Sequence, residues 1–182
     1  ARWAAANFYG ITLSWDGPPD IHDAYRRDKY HKITSKRVER TARIFTEMKG
    51  VSGNFKIRCT VTSLSAGKLE EIVRYFRTAG TGIVEFYPLF QNKDRTLPRE
   101  LIPDPALFVW SFLKARVYGS LNGMDVLFSG TRINEHHNRF CMTLQDNLTV
   151  TPDGYISNCF YHTYNFNSQD DLFFYGKYNS EN

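Results

Sequence analysis

The chain has 182 residues, 42% of them hydrophobic and 15% aromatic, which suits one domain with a sizeable core and excludes a disordered composition. No apolar run approaches the roughly 20 residues of a membrane-spanning helix, and the opening ARWAAANFYG is too short and polar for a signal peptide. The net charge is +4, with much of the excess between Arg26 and Arg43; that run reads as a solvated helix face, and no RNA-binding signature, zinc finger or phosphate loop points to nucleic acid.

Taken in order, Gly10 to Asp16 alternates, with Ile11, Leu13 and Trp15 on one side and Thr12, Ser14 and Asp16 on the other. This predicts a strand with one apolar and one polar face, ended by a Gly17-Pro18-Pro19-Asp20 turn or loop. Ser35 is placed to cap a helix running to Lys49, with Val38, Ala42, Phe45 and Met48 on one stripe and Gly50 as the stop. Phe55 to Thr62 alternates again; Phe55, Ile57, Cys59 and Val61 share a face, which makes Cys59 a core residue. Lys68 to Thr78 is the clearest helix, its stripe Leu69, Ile72, Val73 and Phe76 followed by Gly80 as C-cap. Ile83 to Leu89 is a third strand that Pro88 closes. Asp104 then caps a helix that has Pro105 in its first turn and runs to about Tyr118, with Gly119 ending it.

Strand, helix, strand, helix, strand, helix favours parallel strands joined by right-handed crossovers, in a doubly wound sheet or a barrel. Beyond Gly119 the pattern changes to short aromatic-rich segments punctuated by Asn122-Gly123 and Asp153-Gly154. A boundary is expected within residues 119–130, with a small irregular β-hairpin module behind it.

In a parallel barrel the C-terminal ends of the strands carry ligand contacts, which draws attention to Ser14 and Asp16. Arg58 lies mid-strand among apolar neighbours, so a partner is expected, either a carboxylate or an anionic ligand group. Three cysteines are too few, and odd in number, for a secreted disulfide framework. A reducing cytoplasm is therefore expected, with free thiols or a metal. Cys141 and Cys159 close a segment, CMTLQDNLTVTPDGYISNC, that reads as strand, Asp-Gly turn, strand. His136, His137 and His162 read as surface or packing histidines.

SWDGPPDIHDAYR, Ser14 to Arg26, resembles the Ser-x-Asp-Gly-Pro and His-Asp-x-x-Arg signature of radical S-adenosylmethionine (radical SAM) enzymes of the peptide- and sulfatase-maturing group. KIRCTVT, KLEEIVRYF and IVEFYPL follow at the distances that group shows. Cys141, twelve residues, Gly154, four residues, Cys159 resembles the opening of the SPASM extension, which binds auxiliary iron–sulfur clusters, and FFYGKY resembles the segment after it.

The resemblance implies an α/β fold: a partial (β/α) TIM-like barrel of the radical SAM type over residues 1–122, then the start of a SPASM-like domain over residues 123–182. It implies a maturase that makes a 5′-deoxyadenosyl radical and abstracts hydrogen from a peptide or protein substrate. Ser14, Asp16 and Arg58 would bind S-adenosyl-L-methionine. His22, Asp23 and Arg26 would contact substrate or shape the barrel mouth, although His22-Asp23 reads equally as a local capping or loop-fixing pair. Cys141 and Cys159 would be two ligands of an auxiliary 4Fe-4S cluster, which needs others from elsewhere. An electron donor such as flavodoxin or ferredoxin is implied, and neither nucleic acid nor membrane. The Cys-x3-Cys-x2-Cys motif, the Gly-Gly-Glu strand and the later SPASM cysteines are absent from these residues. The chain is thus expected to be the middle and rear of a maturase, its partner the missing part of the same polypeptide. Two alternatives stand beside this one: a non-catalytic binding module that keeps the fold, and a barrel hydrolase using Asp16 and Glu85 as paired carboxylates.

Overall fold

The computed structural model describes residues 1–48, 54–91, 96–128, 148–158 and 173–178. The chain divides into two compact units, Ala1–Ser129 and Gly130–Asn182.

The first unit runs α1 (Arg2–Asn7), β1 (Ile11–Ser14), α2 (Pro19–Tyr25), α3 (Ser35–Glu47), β2 (Phe55–Val61), α4 (Leu69–Thr78), β3 (Ile83–Pro88), α5 (Pro105–Leu121) and β4 (Asp125–Phe128), with a 3₁₀ turn at Arg99–Leu101 before α5. Its four strands form one parallel sheet in the order β1-β2-β3-β4. Neighbours in space are neighbours in sequence, as in the wall of a (β/α) barrel; a doubly wound sheet reverses its order at a switch point. Among the described residues the sheet does not close, and β1 and β4 each keep an unpaired edge.

Alternation sorts the side chains. Phe55, Ile57, Cys59 and Val61 of β2 and Val84 and Phe86 of β3 are buried to 1% exposure or less. They pack with Leu69, Ile72, Val73 and Phe76 of α4 and with Phe108, Phe112 and Ala115 of α5. Trp15 sits 4.9 Å from Phe76 and 5.4 Å from Tyr75, ring centre to ring centre, and ties β1 to α4. Cys59 is core, as its place in the alternation predicts, and its thiol donates to the Asp16 carbonyl at 3.4 Å. Ser111 of α5 accepts the Leu69 N–H at 3.1 Å, so one helix satisfies an orphan donor at the start of the other.

Three expectations need correction, and one helix had none. Pro19 does not merely continue a turn; it opens α2, because proline at the first helical position is already set to helical φ. The α1 helix was not foreseen. Ser35 is the first residue of α3 rather than its cap; Thr34 stands at the N-cap without a side-chain cap bond, and the cap comes from elsewhere, as described below. Gly119 does not end α5, which continues to Leu121. It is the point where the helix meets β4: a Cβ there would overlap the Val126 Cγ2 methyl and lie 2.9 Å from the Met124 carbonyl oxygen. Gly123, at φ 68°, makes the turn that follows. β4 pairs with β3, so the parallel sheet includes residues 125–128.

In the second unit, β5 (Thr149–Val150) and β6 (Tyr155–Ser157) pair antiparallel about Asp153-Gly154, and β7 (Phe174–Lys177) pairs with β6. Gly154 takes φ 87°, the Thr151 hydroxyl donates to Asp153 Oδ1 at 2.5 Å, and Thr151 N donates to the Tyr155 carbonyl. The sequence reading places a hairpin over Cys141–Cys159; of that span, residues 148–158 are described and form β5, the Asp153-Gly154 turn and β6. Cys141, Cys159, His136, His137 and His162 lie outside the described residues. No described helix is long and apolar enough to cross a membrane.

Candidate functional site

Among the described residues, the sheet face away from the helices is polar and partly exposed. Register places Thr12 beside Lys56, Ser14 beside Arg58, Arg58 beside Glu85, and Thr60 beside Tyr87. Partners across a parallel ladder point to the same side, so Ser14, Arg58 and Glu85 form one row and Thr60 and Tyr87 the next. A parallel sheet normally has both faces covered; here one face bears side chains that seek water, ions or ligands. Ser14 and Arg58 are exposed. Lys56 Nζ donates to Glu85 Oε2 at 2.7 Å. The Arg58 guanidinium lies over the Tyr87 ring, 4.1 Å from its centroid, and makes no ion pair among the described residues.

The sequence leads one to expect a partner for Arg58, either a carboxylate or an anionic ligand group, because it sits in an apolar run. The apolar residues of that run face the helices and Arg58 faces the opposite way, so it is exposed and stacked.

The C-terminal end of β1 is a built corner. Gly17 takes φ 131°, which bends the chain from β1 into α2, and α2 returns His22, Asp23 and Arg26 to the strand end. Asp16 is buried; its Oδ1 accepts the Thr60 N–H at 2.8 Å, and both its oxygens accept from Arg26, the shorter bond running from Nε to Oδ2. Arg26 Nη2 also donates to Thr60 Oγ1 at 3.2 Å. The fork thus clamps the end of β1 to β2.

His22, 1% exposed, is fixed in one tautomer by its partners. The Asp16 backbone N–H donates to its Nδ1 at 3.2 Å, so Nδ1 carries no proton. The Thr34 hydroxyl donates to the Arg26 carbonyl at 2.6 Å, so it must accept from His22 Nε2–H at 3.1 Å. Burial pushes the imidazole pKa down, outweighing the carboxylates of Asp16 and Asp23, which push it up. Asp23 is the cap that Ser35 was expected to be: its Oδ1 accepts the N–H groups of Thr34 and Ser35 at 2.8 and 2.9 Å, and its Oδ2 accepts the Ser35 hydroxyl at 2.5 Å. Burial alone pushes the Asp23 carboxyl up; the bonds from Ser35 and Thr34 outweigh it and hold the group below the usual range.

The structure thus brings Ser14 and Arg58 together on the open face, and gathers Asp16, His22, Asp23 and Arg26 into one interlocked corner. His22 and Asp23 have the arrangement of a loop-fixing and capping pair. Arg26 is half-buried and lines two cavities. One of about 230 Å³ is shared with Asp16, Tyr25, Thr60 and Leu101; the other, of about 370 Å³ at the β1 edge, is shared with Ser14, Arg27, Thr34 and Arg37. Asp16 and Glu85, the carboxylates of the hydrolase alternative, are each ion-paired, to Arg26 and to Lys56. The sequence reading missed Lys56, Thr60 and Tyr87. Their alternation was visible, but their pairing with Glu85, Asp16 and Arg58 depends on register.

No protein-family model matches the chain. Curated proteins from two strains of Clostridium perfringens, both named cysteine-type anaerobic sulfatase-maturating enzyme, are 33% and 31% identical to it over 99 residues. The match covers 52% of this chain and 26% of each relative, so the chain spans about a quarter of the length of the curated relatives it matches. Among solved structures, native anSMEcpe with bound AdoMet aligns at a TM-score of 0.69 and 24% identity, over 97% of this chain and 49% of that one. Native anSMEcpe with bound AdoMet and Kp18Cys peptide aligns at 0.68 and 22%, with the same coverage. The chain is thus homologous over half its length to anaerobic sulfatase-maturating enzymes. Its α/β fold, with four parallel strands, resembles that of the solved chains.

Proposed function

We propose that this chain is a portion of a radical SAM maturase that modifies a peptide or protein, and that its open sheet face is the wall against which S-adenosylmethionine and substrate meet. The single observation that carries this reading is the pairing of Ser14 with Arg58 on that face, with Arg58 free of any carboxylate among the described residues. The fit is chemical: an exposed guanidinium beside a hydroxyl suits a zwitterionic ligand whose carboxylate needs a cation and hydrogen-bond donors. The similarity to sulfatase-maturating enzymes and to AdoMet-bound chains supports the same ligand.

In this reading Arg58 takes the ligand carboxylate and Ser14 supplies a further polar contact. Asp16 acts on the ligand site through the strands: its bonds to Arg26 and Thr60 hold the ends of β1 and β2 in line. Arg26, which faces both cavities, is the member of the corner placed to meet a peptide substrate, while His22 and Asp23 hold α2 against α3. When bound, S-adenosylmethionine would supply the radical that abstracts hydrogen from the substrate. Cys141 and Cys159 are proposed ligands of an auxiliary 4Fe-4S cluster in a SPASM-like domain, with an electron donor such as flavodoxin or ferredoxin. Further cluster ligands and the remaining barrel strands would come from the rest of the polypeptide, and the reaction belongs to the cytoplasm.

The test is equilibrium binding of S-adenosylmethionine to the purified chain and to Arg58→Leu. A lost charge-assisted contact is worth about 1.5–3 kcal/mol, so binding should weaken about 10- to 100-fold. Equal affinity in the two proteins overturns the assignment of Arg58.

A further inference from the structure

Glu85 is the Cα partner of Arg58 across the β2–β3 ladder, the carboxylate that an arginine at this register would ordinarily take. It is instead bonded to Lys56 at 2.7 Å, one residue pair along β2 on the same face. Tyr87, two residues beyond Glu85, puts its ring against the flat of the guanidinium at 4.1 Å. A guanidinium stacked by its face keeps its in-plane N–H donors available. The Tyr87 phenol is itself held above its ordinary range, first by burial and then by the charge of Glu85 and a hydrogen bond to it.

From this geometry we infer that Lys56 and Tyr87 are positioning residues for Arg58: Lys56 keeps Glu85 neutralised, and Tyr87 holds the guanidinium flat, so that its N–H edge stays open for a ligand carboxylate. The ligand class is an amino-acid-like zwitterion, and this inference rests on the reading given under the proposed function. The device is selective as well as supportive. A bare arginine beside a bare glutamate pairs with it, and an incoming carboxylate must then compete with an internal one. With Glu85 held by a second cation the competition is removed.

The experiment uses the full chain, S-adenosylmethionine as the probe, and the Arg58 Nε–H signal in ¹H–¹⁵N spectra recorded without ligand. In Lys56→Met the freed Glu85 should capture Arg58: the Nε–H signal moves downfield and its exchange with water slows. Affinity should fall about three- to fivefold, the scale of an exposed ion pair. Adding Glu85→Gln to that variant should restore both readouts, which a merely structural role for Lys56 would not produce. Tyr87→Phe should keep the ring-current shift on Arg58; Tyr87→Leu should lose it and weaken binding about two- to fivefold. An unmoved Arg58 signal in Lys56→Met, or no restoration in the double variant, overturns the inference. If the unaltered chain does not bind S-adenosylmethionine, the proposed function fails, and the ligand-free arginine signals still decide the positioning roles by themselves.

Discussion

Asp23→Ala should be among the most costly single changes in the first unit that create no cavity in the core. The Asp23 carboxylate accepts two backbone N–H groups and one hydroxyl from Thr34 and Ser35, at 2.5 to 2.9 Å, and Ser35 is 2% exposed. Removing it strands the first donors of α3 in a place that water enters poorly. A lost N-cap costs about 0.5–2 kcal/mol, and a buried donor left without a partner about 1–3. Since Thr34 is only partly buried and regains some water, the sum should be about 2–3 kcal/mol. For a chain of this length that lowers Tm by about 5–10 °C. Urea unfolding followed by circular dichroism measures it; Asp23→Asn, which keeps an acceptor but no charge, should fall between. The pH dependence has a definite sign. The folded carboxyl lies below its ordinary 3.8, so its contribution is complete above that value and is lost as pH falls through the lower, folded one. The gap between the unaltered chain and Asp23→Ala should therefore hold steady down to about pH 5 and narrow below pH 4. A cost under about 0.5 kcal/mol, or a gap that does not narrow in acid, would refute the capping argument.

Three further outcomes follow from the same geometry. His22, whose folded pKa is pushed below 6.5 by burial, contributes stability that is full above 6.5 and declines as pH falls toward the folded value; its ¹⁵N shifts at neutral pH should show the Nε2–H tautomer. Gly119→Ala should destabilise by about 1–3 kcal/mol in thermal melts, because overlap with β4 outweighs the roughly 1 kcal/mol gained in helix propensity. Arg26→Met leaves the buried Asp16 without its cation. Because the Arg26 side chain is 36% exposed, the cost should be about 1–3 kcal/mol, below that of breaking a fully buried pair; Arg26→Lys should recover only part, since an ammonium cannot span both Asp16 and Thr60.

What could be read from the sequence was whatever has a period. The three strands announced themselves because each has one face in the core, which forces alternation, and α4 because its buried stripe is unbroken. The open face was readable too, as the polar half of the same alternation. Register was not readable, because no single strand encodes its offset from the next. Ser14 next to Arg58, and Lys56 rather than Arg58 on Glu85, emerge only once β1, β2 and β3 are aligned. Glycine and proline misled where their local meaning was overridden. Pro19 starts a helix although it follows a turn, and Gly119 is there for a close approach to Val126, not for a left-handed cap. His22 and Asp23 carried two readings in the sequence. Their bonds to Asp16, Thr34 and Ser35 favour the loop-fixing one, which depends on contacts 6 to 12 residues away along the chain.

The central claim is that the polar face of the β1–β2–β3 sheet is a ligand surface. Titrating the isotope-labelled chain with S-adenosylmethionine and mapping the amide and side-chain shifts tests it most directly. The account predicts saturable shifts concentrated on Ser14, Lys56, Arg58, Glu85 and Tyr87, with Ile57, Cys59 and Phe86 on the helix-packed face little moved. Shifts centred on α4 and α5, or none at ligand concentrations well above those of a specific complex, would contradict it.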